Sequence, residues 1–136
     1  MIQPSAAITF LTYEDLTAGD RFYREVLGLL LIEDQGWARV YRIASGAHLG
    51  IVQSRRATQK GAGGSGVLVS FVVDRVADVD RWYKRLRNEP SIAVDAPPSK
   101  VREIPVYSLF FTDPAGYRIE VQAFTDRQIS ERFRTN

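Results

Sequence analysis

The chain contains itself twice. Asp20-Arg21-Phe22-Tyr23 returns sixty residues later as Asp80-Arg81-Trp82-Tyr83, and Thr9-Phe10-Leu11-Thr12-Tyr13 returns at the same offset as Val69-Ser70-Phe71-Val72-Val73. Gly46-Ala47-His48-Leu49-Gly50-Ile51-Val52 is echoed seventy residues on by Gly116-Tyr117-Arg118-Ile119-Glu120-Val121-Gln122. Such self-similarity marks one structural unit duplicated in tandem, the second about ten residues longer in its middle. A cleft where two such units meet is the first place to expect function.

Each copy spells the same elements. Residues 7–13 are rich in β-branched and aromatic types and read as a strand. Asp15 or Thr17 is placed to cap a helix running to Leu27, with apolar positions at Leu16, Phe22, Tyr23, Val26 and Leu27 and a stop at Gly28. Strands are expected at 29–33, 37–43 and 47–53. The second copy repeats the order: strand 67–73, helix 76–88, then strands at 92–94, 105–112 and 117–124, the last two joined by the turn Asp113-Pro114-Ala115-Gly116. The aromatic pairs Phe22-Tyr23 and Trp82-Tyr83 sit at core spacing on their helices. The pattern is α+β, two tandem βαβββ modules: module 1 over about 5–54, a linker over 55–66, module 2 over about 67–125 and a tail over 126–136. Asp126 can cap a short helix in that tail, or the tail can fray.

Composition narrows the function classes. There is no cysteine, which removes disulfides, thiolate nucleophiles and Cys-ligated metal sites. No apolar run approaches the roughly 20 residues of a membrane span, and Met1-Ile2-Gln3-Pro4 lacks the cationic start of a signal peptide, so a cytoplasmic protein is expected. The net charge is +2, and basic residues cluster only at Arg55-Arg56 and near Arg132 and Arg134. A nucleic-acid partner is not expected from so scattered a charge. Gly61-Ala62-Gly63-Gly64-Ser65-Gly66 matches G-x-G-x-x-G literally, but it precedes a strand, whereas a dinucleotide loop follows one. Ser70 has no neighbouring base, so nucleophilic catalysis is not expected.

Two segments carry a resemblance. Phe22-Tyr23-Arg24-Glu25-Val26-Leu27-Gly28-Leu29 and Asp113-Pro114-Ala115-Gly116-Tyr117-Arg118-Ile119-Glu120-Val121, in that order and spacing, resemble the vicinal oxygen chelate superfamily of glyoxalases, bleomycin-resistance proteins and extradiol dioxygenases. The resemblance spans nearly the whole chain and implies a curved sheet around a central cavity, and a homodimer. It is specific for fold and weak for activity, because the group includes lyases, isomerases, dioxygenases and metal-free drug binders.

The resemblance also implies where metal ligands belong: on the first strand of each module and on the last strand. Those places fall here on Ile8, Leu68, Gly50 and Glu120. Only Glu120 can ligate, and a catalytic divalent site takes about three protein ligands. The member is therefore expected to lack the usual ligands and to carry no cofactor; if a divalent metal is bound, Glu120 and His48, the sole histidine, are its candidates. Strand alternation then defines a lining. Ile8, Phe10 and Thr12 share a face, as do Leu68 and Ser70, Arg118, Glu120 and Gln122, and His48 joins Gly50; Trp37 shares a face with Arg39 and Tyr41, its direction open.

Two functions stay open. One is binding of a small aromatic or amphipathic molecule in a metal-poor cavity, as in drug sequestration, with Glu120 engaging a cation or donor. The other is a metal-dependent or glutamate-based lyase, isomerase or dioxygenase of the glyoxalase type, with Glu120 catalytic.

Overall fold

The structure, a computed structural model, describes residues 3–4, 6–56, 67–101 and 103–133. The glycine-rich run 61–66 and Arg134 lie outside them. The chain divides into two compact units, residues 1–65 and 66–136.

In the first unit, β1 (Ala7–Tyr13) leads into α1 (Leu16–Asp20), capped by the Asp15 carboxylate accepting from the Ala18 N–H. The helix does not stay regular as its spacing suggested. Over Arg21–Val26 it widens into a π-helical turn, with the Leu27 N–H donating to the Phe22 carbonyl. Widening turns both Phe22 and Tyr23 fully inward. Gly28, at φ +73°, reverses the chain and lets the Leu29 N–H close on the Tyr23 carbonyl. Strands β2 (Leu30–Asp34), β3 (Ala38–Ala44) and β4 (Ala47–Gln53) follow. The sheet order is β1-β4-β3-β2, with β1 parallel to β4 and the other pairs antiparallel.

One face of this sheet is covered by the helix. Leu11, Tyr13, Tyr41, Leu49 and Ile51 are buried there, and Tyr23 packs against Tyr13 and Tyr41 with ring centroids 6.4 and 5.9 Å apart. Close approach depends on Gly19: a Cβ there would stand 2.8 Å from the Tyr13 ring and 2.9 Å from Ile51 Cδ1.

The second unit repeats the plan with β5 (Leu68–Val72), α2 (Val76–Leu86), β6 (Ala93–Val94), β7 (Ser99–Lys100), β8 (Val106–Thr112) and β9 (Arg118–Phe124). The sheet order is β5-β9-β8-β6, β5 again parallel to its neighbour, and the two-residue β7 pairs with β8 as well. Helix α2 packs on β8 and β9 through buried Val79 and Leu86. Trp82 and Tyr83 correct the reading as core residues: α2 is a regular α-helix, both rings are only half-buried, and Arg85 and Arg87 lie 5.9 Å over them. In the tail, α3 (Arg127–Arg132) forms behind Asp126, whose carboxylate accepts from the Gln128 and Ile129 N–H groups, and Phe133 stacks on Phe124 at 4.9 Å.

The turn between β8 and β9 explains why its residues were so legible. Asp113 is buried and accepts from the Ala115 and Tyr117 N–H groups at 3.0 and 2.8 Å, while Gly116 takes φ +94°. Among the described residues no helix is long and apolar enough to cross a membrane.

Candidate functional site: the sheet faces opposite the helices

Each helix covers one face of its sheet, and alternation assigns the other face residue by residue. In the first unit three rows cross the face opposite the helix: Ile8, His48 and Arg42; Phe10, Gly50 and Val40; Thr12, Val52 and Ala38. In the second unit the rows are Leu68, Arg118 and Thr112; Ser70, Glu120 and Phe110; Val72, Gln122 and Ser108. Ile8 and Phe10 are thus brought together with Thr12 and His48, and Leu68 and Ser70 with Arg118, Glu120 and Gln122. Trp37 does not join them. It precedes β3, whose Arg39 and Tyr41 point to the helix-covered side, where the Tyr41 hydroxyl donates to Asp20 at 2.7 Å.

The second-unit face is polar at its centre. Glu120 is 7% exposed, and its carboxyl oxygens accept from the Ser108 hydroxyl at 2.7 Å and from Gln122 Nε2 at 3.1 Å. Gln122 Nε2 also donates to Ser70 Oγ. Arg118 turns away from this cluster. It pairs with Asp95 through two bonds of 2.6 and 2.8 Å, reaches Thr112 Oγ1 at 3.2 Å, and lies 5.8 Å over the Phe110 ring. The bond from Arg118 holds the Asp95 carboxyl below its ordinary pKa, and the same bond raises Arg118. Glu120 is therefore left with neutral donors among the described residues. Leu68 and Val72 flank the cluster, 51% and 39% exposed.

The first-unit face is apolar. Ile8, Phe10 and Leu30 are exposed there, and the Phe10 ring lies directly over Gly50. A Cβ on Gly50 would stand 2.5 Å from two Phe10 ring carbons and 3.3 Å from Ile8 Cγ2. His48 is half-buried, with Nδ1 3.2 Å from the Ala7 carbonyl oxygen.

These residues do not fit a catalytic divalent metal. The first unit offers one imidazole, with Arg42 as its register partner and a phenyl ring where a side chain on residue 50 would stand. The second offers one carboxyl, already engaged by two donors. Among the described residues no three His, Asp or Glu side chains gather as a metal site would require.

Ser108, Phe110, Thr112 and Asp95 escaped the sequence reading. The signal for the first three was present: β8 and β9 form a hairpin through a recognisable turn, so counting back from Glu120 reaches Phe110. Asp95 comes from the segment after β6, and no local pattern announces its pairing.

Two βαβββ units, each with a helix on one face of its sheet, define the class: an α+β protein of the glyoxalase fold. The chain belongs to the Glyoxalase/Bleomycin resistance protein/Dioxygenase superfamily, whose family model matches residues 6–121. Among solved structures, a glyoxalase/bleomycin resistance protein/dioxygenase from Nocardioides is similar with TM-score 0.72 and 20% identity, covering 93% of this chain and 87% of that one. A glyoxalase-related enzyme from Fulvimarina pelagi gives TM-score 0.73 and 18% identity over 87% and 86%. A lactoylglutathione lyase from Agrobacterium tumefaciens gives TM-score 0.71 and 28% identity over 89% and 95%. Among curated proteins none matches significantly in sequence.

Proposed function

We propose that this protein is a metal-free binder of a small aromatic or amphipathic molecule, held on the face of the second unit's sheet that lies opposite its helix, and that Glu120 engages a cation or hydrogen-bond donor of that molecule. It acts in the cytoplasm as a homodimer, and drug sequestration is the role such binding fits. The observation that carries this reading is Glu120 itself. A carboxyl this buried is ordinarily balanced by a cation, yet among the described residues its donors, Ser108 and Gln122, are neutral, and Arg118, two residues away on the same strand, is committed to Asp95. Ordering without neutralisation suits a group whose partner arrives with a ligand. The flanking Leu68 and Val72 suit the apolar part of an amphipathic molecule.

The test pairs elemental analysis with calorimetric titration of acridine orange, a planar aromatic cation. Purified protein is expected to carry only substoichiometric metal and to bind the dye, and Glu120→Gln should weaken binding about tenfold or more, the scale of a lost bond to a charged group. Stoichiometric nickel, zinc, iron or manganese, or no binding by the folded wild type, would refute the reading.

A second reading, lyase chemistry with Glu120 as base, is favoured by the 28% identity to the Agrobacterium lactoylglutathione lyase. Turnover of lactoylglutathione that vanishes in Glu120→Gln would establish it over simple binding.

A further inference from the structure

Four polar side chains of the second unit form one strip across β5, β9 and β8. Ser70 and Glu120 are register partners, as are Gln122 and Ser108 in the adjacent row. Their hydrogen bonds cross between the rows. Ser108 Oγ donates to Glu120 Oε2, and Gln122 Nε2 donates both to Glu120 Oε1 and to Ser70 Oγ. The strip is graded in depth: Ser108 and Glu120 are buried, Gln122 is half-buried and Ser70 is exposed.

The bonds fix which way the Gln122 amide faces. At 3.1 Å from a carboxyl oxygen that already acts as an acceptor, only the NH₂ end makes an attractive contact. Both amide hydrogens are then spent, one on Glu120 and one on Ser70. Ser108 has spent its hydrogen as well, which leaves the exposed Ser70 hydroxyl with the strip's one uncommitted hydrogen. Acceptors are in surplus. Each Glu120 oxygen takes one bond and has room for a second, and Gln122 Oε1 accepts none among the described residues. Arg118, which could have supplied N–H groups from the same strand, gives them to Asp95 and Thr112. A strip built only to satisfy itself would match donors to acceptors; this one lacks hydrogens at its accessible end.

We infer that the strip selects a cation carrying several N–H donors, a primary ammonium or an amidinium, over a fully alkylated ammonium, and that Gln122 is the residue that reads those hydrogens. The inference rests on the proposed binding function and adds to it the chemical class of the cation. Glu120 supplies the attraction that any cation feels. Gln122 Oε1 supplies an acceptor that rewards only a cation with a hydrogen to give.

The experiment titrates benzylammonium, benzyldimethylammonium and benzyltrimethylammonium into wild type and Gln122→Met, followed by NMR, with acridine orange as the control for binding as such. The three amines keep one charge and one ring while methyl groups replace their N–H donors. Wild type should bind benzylammonium about tenfold more tightly than benzyltrimethylammonium, the scale of one hydrogen bond to a charged group, with the dimethyl compound between them. Gln122→Met keeps the side-chain length and loses the amide. It should weaken benzylammonium about tenfold and leave benzyltrimethylammonium within about twofold, whereas a merely structural Gln122 would weaken all three alike. Should Gln122→Met fail to fold by circular dichroism, the wild-type series decides. Affinity that is flat or rises with methylation, or dye binding with no amine binding, overturns the donor selection while the binding function stands. Failure of the folded wild type to bind the dye or any amine overturns both.

Discussion

At the scale of single residues, the repeat conserves a chemical joint while moving it. Asp20 and Asp80 are equivalent, and each accepts a tyrosine hydroxyl from the next-to-last strand of its unit, Tyr41 of β3 at 2.7 Å and Tyr107 of β8 at 2.6 Å. Their register differs, Tyr41 lying opposite Leu49 and Tyr107 opposite Ala123. The environments differ too. Tyr41 is fully buried, and Asp20 also takes Arg24 at 2.6 Å and Arg39 at 3.4 Å. Arg39 Nε is buried and lies 3.5 Å from Asp34, near enough for attraction and outside hydrogen-bond geometry. Removing the Tyr41 hydroxyl leaves a buried acceptor short of a donor, so Tyr41→Phe should cost about 1–3 kcal/mol, and half-buried Tyr107→Phe about 1 kcal/mol or less, by urea unfolding. Burial, reinforced by Asp20, raises the Tyr41 phenol far above its usual value of 10.0. A raised folded pKa gives stability that is complete below about pH 10 and is lost as pH climbs toward the folded value. Wild type should therefore lose stability above about pH 10 more steeply than Tyr41→Phe, and a fully parallel pair of curves would contradict the buried bond.

At the scale of elements, the first helix shows packing overruling propensity. On an exposed helix, Gly→Ala stabilises by up to about 1 kcal/mol. Gly19 is buried, and its Cβ would press on Tyr13 and Ile51, which are 2% and 0% exposed and have nowhere to retreat. Gly19→Ala should therefore destabilise the protein by about 1–3 kcal/mol, the cost of overpacking; a raised melting temperature would show that the helix can lift from the sheet freely. In the second unit, Leu86→Ala should cost about 2–5 kcal/mol, because this side chain is fully buried under α2. The elements themselves were legible because their punctuation is local: Asp15, Gly28, Asp113-Pro114-Ala115-Gly116 and Asp126 each act within a few residues of themselves. The π-helical turn was not legible, since nothing in Arg21-Phe22-Tyr23-Arg24-Glu25-Val26 distinguishes it from an α-helix; burying two consecutive aromatic rings against one sheet accompanies it. β7, two residues long, had no period to read.

At the scale of the molecule, β1 and β2 are the edge strands of the first sheet and β5 is an edge of the second. Edge strands with exposed Ile8, Phe10, Leu68 and Val72 invite association. Light scattering coupled to gel filtration should accordingly give about twice the 15.3 kDa chain mass, and a mass that stays at one chain across concentrations would remove the dimer. The duplication, the βαβββ order and the family were all legible in sequence alone, because they are matters of spacing and of which atoms a side chain possesses. Which face Trp37's strand turns to its helix, that Arg118 belongs to Asp95 and leaves Glu120 to Ser108 and Gln122, and that Phe10 fills the space over Gly50 were decided only by tertiary structure. Those outcomes depend on pairings between residues far apart in the chain, and no local pattern records which of several possible partners comes within a few ångströms.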